Sequence, residues 1–261
     1  MYEQNLSYSS INSARSALSA ILQISGTPNN TFGEHPDVKR FMKGIYQNRP
    51  PMPRYNKTWD VDIVLQYLRN MNDSEDLSLK DLTLKLVMLI ALTTAGRGQS
   101  LHLLNIETMV KENNCLAFVI ASNIKQSRPT SSLTDRIIKL KAYPLEKKLC
   151  VFHTCSVYME KTSSLRGQET CLLLTHQKPH KRASKDSIRR WIQSVMSMSG
   201  VDVNVYKPHS VRSAATSKAK ANHVPLDGIM KAAGWSSAST FAKFYDKQIE
   251  SDVTFSEIVL G

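Results

Sequence analysis

The chain is 261 residues long, enough for one large or two modest domains with buried cores. Its 34 lysines and arginines outnumber 22 acidic residues, giving a formal net charge of +12 that favours a polyanionic partner: DNA, RNA or acidic lipid. The longest apolar run, Leu86 to Leu92, falls far short of the roughly 20 residues needed to span a bilayer, and the start lacks the basic-then-apolar layout of a secretion signal, so an intracellular protein with no membrane anchor is expected.

In chain order, Ser9 to Leu22 carries apolar residues at Ile11, Ala14, Leu18 and Ile21/Leu22, close to a helical period, with Ser9 or Ser10 as the cap. A short helix over Pro36 to Tyr46 runs into Pro50, Pro51 and Pro53, which no helix crosses, so a linker and a domain boundary near residue 55 are predicted. Asp60 to Met71 and Ser78 to Ala95 read as helices; the second is apolar on most faces and is expected to cross a core. Cys115 to Ser122 and Asp135 to Ala142 are β-rich and flank a polar stretch, the pattern of a hairpin with a basic tip. Helices return at about 145–162, 184–199, 209–221, 225–233 and 237–247. The fold class is therefore mainly α with a small β-sheet or hairpin, α+β. Four cysteines lack any recurring frame, which argues against a disulfide scaffold. Cys150, His153 and Cys155 raise zinc as a question, but they fall in a helical segment without a matching second pair, so no metal site is predicted.

Chemistry becomes readable at Pro208-His209-Ser210-Val211-Arg212. Proline suits a first helical turn, which places His209 and Arg212 three apart on one helix, able to reach one phosphate together. Phosphodiester transfer passes through a five-coordinate phosphorus with added negative charge, and a planar guanidinium that binds two oxygens at once is suited to neutralise it. A second arginine is expected. Arg97 is the best candidate, following Thr93-Thr94-Ala95-Gly96 where the apolar helix ends; Gly96 relieves crowding at that break. The plain alternative is a basic residue interacting with the helix macrodipole. Among nine tyrosines, Tyr245 alone follows this cluster closely enough to share its pocket as a nucleophile, with His209, Arg97 and Arg212 to stabilise a phenolate. Behind Phe241 and Phe244 it also reads as a core aromatic.

These residues resemble the tyrosine recombinases, or phage-type integrases, and most closely those carried by DIRS-like retroelements. The match consists of Arg97, Lys125, His209, Arg212, Trp235 and Tyr245, with the stretch from Gly234 to Thr240 similar to the family's segment leading to the nucleophile. The resemblance implies a catalytic domain over residues 56–261, preceded at 1–55 by a truncated helical, SAM-like core-binding domain that clamps DNA. It implies breakage and rejoining of double-stranded DNA through a 3′-phosphotyrosyl intermediate, without cofactor or metal, by a homo-oligomer on DNA, and a nuclear location. In this reading Lys125, on the hairpin, protonates the departing 5′ oxygen, and Trp235 buttresses the tyrosine helix and donates its indole N–H to the phosphate.

Three features depart from the family pattern. Ser100 stands where an acidic residue usually supports the first arginine. Tyr245 lies one residue further from Trp235 than is common in bacterial and phage enzymes, and Phe244 holds the shorter step. Residues 1–55 leave room for about two helices of the clamp. Lys111, Arg128 and Arg136 compete with Lys125, which also reads as a loop lysine touching a neighbouring phosphate. Arg128, Lys181, Arg182, Arg189 and Lys218 are candidate DNA-backbone contacts, or simply solvated charge. The tail Ile249 to Leu260 reads as packing either on a neighbouring subunit or on its own domain. The rival readings are a DNA-binding remnant that keeps the fold without cutting, a type IB topoisomerase, and a basic RNA-binding module lacking an aromatic stacking motif.

Overall fold

The computed structural model describes residues 1–24, 32–52, 55–120, 136–235 and 237–250. The chain divides into two compact units, Met1–Arg54 and Tyr55–Gly261.

In the first unit, α1 (Tyr8–Ile24) and α2 (Pro36–Asn48) are joined through a 3-10 turn at Phe32–Glu34. Helix α1 begins one residue earlier than its sequence pattern indicates. Its cap is therefore Ser7, whose Oγ accepts from the Ser10 N–H at 3.3 Å, and not Ser9 or Ser10. Ile11 packs with Met42 and Ile45 of α2, joined by Tyr2, Leu6, Tyr8 and Val38. The rest of the predicted apolar stripe is not buried: Leu18 and Ile21 are exposed, because α2 covers the helix around Ile11 and no other helix of this unit, among the described residues, covers its far end.

The second unit holds β1 (Lys57–Thr58), α3 (Val61–Asn70), α4 (Leu79–Thr94), α5 (Gly98–His102), β2 (Met109–Glu112), β3 (Cys115–Val119), β4 (Ile137–Lys141), α6 (Val151–Thr162), α7 (Lys185–Met198), α8 (Ser210–Ala221), α9 (Leu226–Ala233), α10 (Ala238–Phe244) and β5 (Gln248–Ile249). This is a helical fold with an antiparallel sheet in the order β2-β3-β4 and a separate parallel pair, β1-β5. Strand β2 escapes a sequence reading because it is a short edge strand with no residue fully buried, so nothing in it alternates. The predicted helix from 145 begins only at Val151. Cys150 caps it, its Sγ accepting from the His153 N–H at 3.4 Å, and a 3-10 turn at Lys147–Leu149 precedes it.

Helix α4 is the axis of the core. Ser78 caps its start, accepting from the Asp81 N–H at 3.1 Å, and residues 82–91 are all buried, as all-round apolarity predicts. It packs against α6, α7, α8 and β4. Lys85 is buried within it, and its Nζ has no hydrogen-bond partner among the described residues. Burial, followed by the like charge of Lys148, pulls this ammonium's pKa below its ordinary value, with Asp73 and Glu75 opposing. An unpaired buried amine disfavours folding most while it is charged, so its cost eases as pH rises toward the unfolded pKa. Lys85→Met keeps the volume and removes the amine; it is expected to raise stability at pH 7 by about 1–3 kcal/mol, read as a higher urea midpoint at unchanged slope.

Candidate active site

The site is built where α4 stops, α8 starts and α9 ends. Helix α4 is closed by Ala95 in a left-handed conformation, φ 44°. Thr94 Oγ1 donates to the Ile90 carbonyl at 2.7 Å and accepts from the Gly96 N–H at 3.1 Å. A Cβ on Gly96 would lie 2.8 Å from that hydroxyl and 3.0 Å from a Leu101 methyl. Both neighbours are held, so Gly96→Ala is expected to cost about 1–3 kcal/mol in chemical denaturation. The tight turn places Arg97 next, at the entry to α5, its carbonyl accepting from the Ser100 N–H at 2.8 Å. Arg97 therefore opens a new helix and does not close α4.

Arg212, in the first turn of α8, is 2% exposed. Its Nη1 donates to the Ala95 carbonyl at 2.7 Å, and its Nη2 donates to the Ala233 carbonyl in a short bond. One guanidinium thus joins the end of α4 to the end of α9. Its Cζ lies 4.5 Å from the Trp235 ring centroid and 5.4 Å from that of Tyr245. Burial, then repulsion from Arg97, lowers its pKa to about 10 against the opposing influence of Tyr245, so it remains a cation at neutral pH.

Gly234 reverses the chain after α9 at φ 62°, and the Trp235 N–H donates back to the Met230 carbonyl at 2.9 Å, a glycine stop. This seats the indole with Ala95, Ile229, Ala233 and Phe241 in a small core against which Tyr245 packs. Arg97 Nη1, Arg212 Nε and Trp235 Nε1 are buried N–H groups without a hydrogen-bond partner among the described residues. Among the described residues, neither arginine forms a salt bridge. A buried donor left unpaired costs about 1–3 kcal/mol, a cost that an accepting anion would offset.

Tyr245 follows the seven-residue α10, leaving helical geometry at φ −125°. Its Oη lies 3.2 Å from His209 Nε2 and its ring centroid 4.4 Å from that of Trp235. Its carbonyl accepts from Ser213 Oγ at 3.2 Å and Ser217 Oγ at 2.9 Å. Phe244 is 42% exposed. Tyr245, and not Phe244, therefore faces Arg212.

Thus Arg97, His209, Arg212, Trp235 and Tyr245 come together around one spot. Lys125 and Arg128 lie outside the described residues. Lys181 and Arg182 are exposed beside the start of α7, with Arg182 Nη2 donating to the His102 carbonyl at 2.9 Å; Arg189 lies 3.5 Å from Asp186. The Lys218 ammonium pairs with Asp62 and lies 3.8 Å from Asp60, tying α8 to α3. The cysteine and histidine of α6 turn apart, Cys155 into the core and His153 Nε2 to within 3.3 Å of Glu75. A cleft of about 1060 Å³ opens from Arg97 and Arg212 past Arg136, Lys139, Lys141 and Lys231. Lys139, Lys141 and Lys231 carry no motif, but Lys139 and Lys141 alternate along β4 on a two-residue period, the legible sign that they share a face. The tail begins on its own domain: β5 pairs with β1 and the Glu250 N–H donates to the Thr58 carbonyl at 2.7 Å. Residues 251–261 lie outside the described residues.

A helical domain with a small antiparallel sheet that gathers two arginines, a histidine, a tryptophan and a tyrosine has the fold of the tyrosine recombinase catalytic domain. A profile of the phage integrase family matches residues 61–250, and the chain belongs to that family. Among solved structures, the chain is similar to the Tn1549 transposon integrase in complex with transposon right-end DNA, with a TM-score of 0.57 and 14% identity over 100% of this chain and 80% of that one. It is also similar to the XerH site-specific recombinase bound to palindromic difH substrate in a post-cleavage complex, with a TM-score of 0.53 and 12% identity over 91% of this chain and 68% of that one. For a lambda integrase dimer bound to a COC′ core site, the TM-score is 0.52 and identity 14%, over 95% of this chain and 62% of that one. At such identities the likeness is one of fold. No curated protein matches the chain by sequence.

Proposed function

We propose that this chain cuts and rejoins double-stranded DNA through a 3′-phosphotyrosyl intermediate, as a site-specific recombinase or integrase. The observation that carries the reading is the set of three buried N–H donors, unpartnered among the described residues, beside a tyrosine whose hydroxyl touches His209. In the proposed reaction Tyr245 Oη attacks the scissile phosphorus. Arg97, Arg212 and Trp235 donate to its non-bridging oxygens, where charge grows in the transition state. His209 takes the phenol proton as the bond from Oη to phosphorus forms. The bond from phosphorus to the 5′ oxygen breaks, and Lys125 supplies that oxygen's proton. The reverse attack, by a 5′ hydroxyl on the phosphotyrosine, reseals the strand with no external energy source, because one phosphodiester replaces another.

Residues 56–261 act as the catalytic domain and residues 1–55 as part of a clamp on DNA. Arg128, Lys181, Arg182, Arg189 and Lys218 serve as backbone contacts in this proposal, Lys218 by exchanging its pairing with Asp62 for a phosphate. Assembly as a homo-oligomer on DNA draws support from the dimeric lambda integrase complex. The motif pattern is the ground for proposing an origin in a DIRS-like element and action in the nucleus, which imaging of the tagged chain in eukaryotic cells tests.

The function is tested by incubation with a nicked suicide duplex, from which the fragment beyond the cut diffuses away and traps the intermediate. A protein–DNA adduct stable to denaturant is expected. DNA binding without any adduct would point instead to a member of the family that holds DNA and does not cut it.

A further inference from the structure

We infer that Ser213 and Ser217 are positioning residues for the nucleophile, clasping the backbone of Tyr245 while His209 meets its hydroxyl; the inference rests on Tyr245 being the attacking group. Hydroxyls inside helices ordinarily turn back to the carbonyl four residues earlier, and Ser13, Ser16, Thr93, Thr94 and Thr216 all do so here. Ser213 and Ser217 do not. Both are buried, and both donate across 32 and 28 residues to one acceptor, the Tyr245 carbonyl. Ser217 Oγ also accepts from the Lys247 N–H at 3.0 Å, holding the chain at the carbonyl and two residues beyond it.

The spacing explains why this works. His209, Ser213 and Ser217 recur every four residues and form one stripe along α8. The stripe meets the tyrosine at its two ends, the phenol at His209 and the carbonyl at the serines, while Arg212 beside it lies under the ring. Helix α10 is also held by Phe241 and Tyr245 against Trp235 and by Lys220 of α8 paired with Asp246, but none of these contacts meets the backbone of the nucleophile. It is seven residues long with Phe241 as its one buried residue among those described, and the carbonyl just past its end has no partner within the helix. The clasp satisfies that acceptor and sets where the nucleophile sits relative to Arg212, within one chain.

The test compares wild type with S217A, S213A and S213A/S217A in single-turnover cleavage of the nicked suicide duplex, alongside DNA affinity and hydrogen exchange. Misplacing a reacting group by a fraction of a bond length slows the chemical step without touching binding. Cleavage is therefore expected to fall about 10-fold in S217A and about 100-fold in the double variant, at unchanged Kd. The amides of Asp246 and Lys247 should exchange faster while those of α4 keep their protection. A merely structural role would lower binding and cleavage together. Cleavage at the wild-type rate in the double variant would overturn the inference, as would unchanged exchange at 246 and 247, a readout independent of activity. If wild type forms no adduct, the functional reading fails, and the exchange data alone still decide whether the clasp exists.

Discussion

Arg212→Lys is expected to leave the protein folded and able to bind DNA while lowering single-turnover cleavage by roughly 1,000-fold, the scale seen when one preorganised donor to a developing oxyanion is removed. Arg212 has three duties at once: it donates to the carbonyls of Ala95 and Ala233, stacks beside Trp235, and keeps Nε without a partner among the described residues. Lysine has the charge but not the planar fork. Its ammonium can satisfy one or both carbonyls or approach a phosphate, but it cannot reproduce both geometries. One carbonyl left without a donor costs about 1–3 kcal/mol, so the urea midpoint should fall modestly while DNA affinity changes little. Arg212→Lys cleaving within threefold of wild type would remove this residue from the proposed chemistry.

Tyr245→Phe is expected to abolish the covalent adduct completely while keeping the fold and DNA affinity. The ring stays against Trp235 and Arg212, and the serine contacts involve only the backbone carbonyl, so one oxygen is all that is lost. Restoring a hydroxyl one position earlier, as Phe244→Tyr in the same background, should rescue nothing, because side chain 244 faces solvent. Rescue by that double variant would show that α10 slides by a residue to present either position.

Much of this site could be read from residue order. The three-residue step from His209 to Arg212 and the glycine-bounded ends of α4 and α9 place the reactive groups because helix periodicity and turn chemistry are local. What stayed hidden depends on long-range packing. Arg212 reads as a phosphate ligand, yet it is also the buried tie between α4 and α9, a role set by carbonyls 117 and 21 residues away. The serine stripe is visible as spacing, but nothing local says that its hydroxyls abandon their own helix for the Tyr245 carbonyl. Lys218 reads as free charge until α3 brings Asp60 and Asp62 beside it. In the first unit, the periodic stripe of α1 predicts a face that its single partner helix covers only in part. The choice of Tyr245 over Phe244 turned on where α10 ends, a boundary that pattern alone places only to within a few residues.

The claim at the centre is that Tyr245 joins DNA. The most direct measurement is to trap the adduct on a nicked suicide duplex, digest protein and DNA, and locate the modified peptide by mass spectrometry. The expected result is one nucleotide-bearing peptide, with the phosphate on the phenolic oxygen of Tyr245 and the DNA attached through its 3′ end. A phosphonucleotide on any other residue, or attachment through the 5′ end, would contradict it.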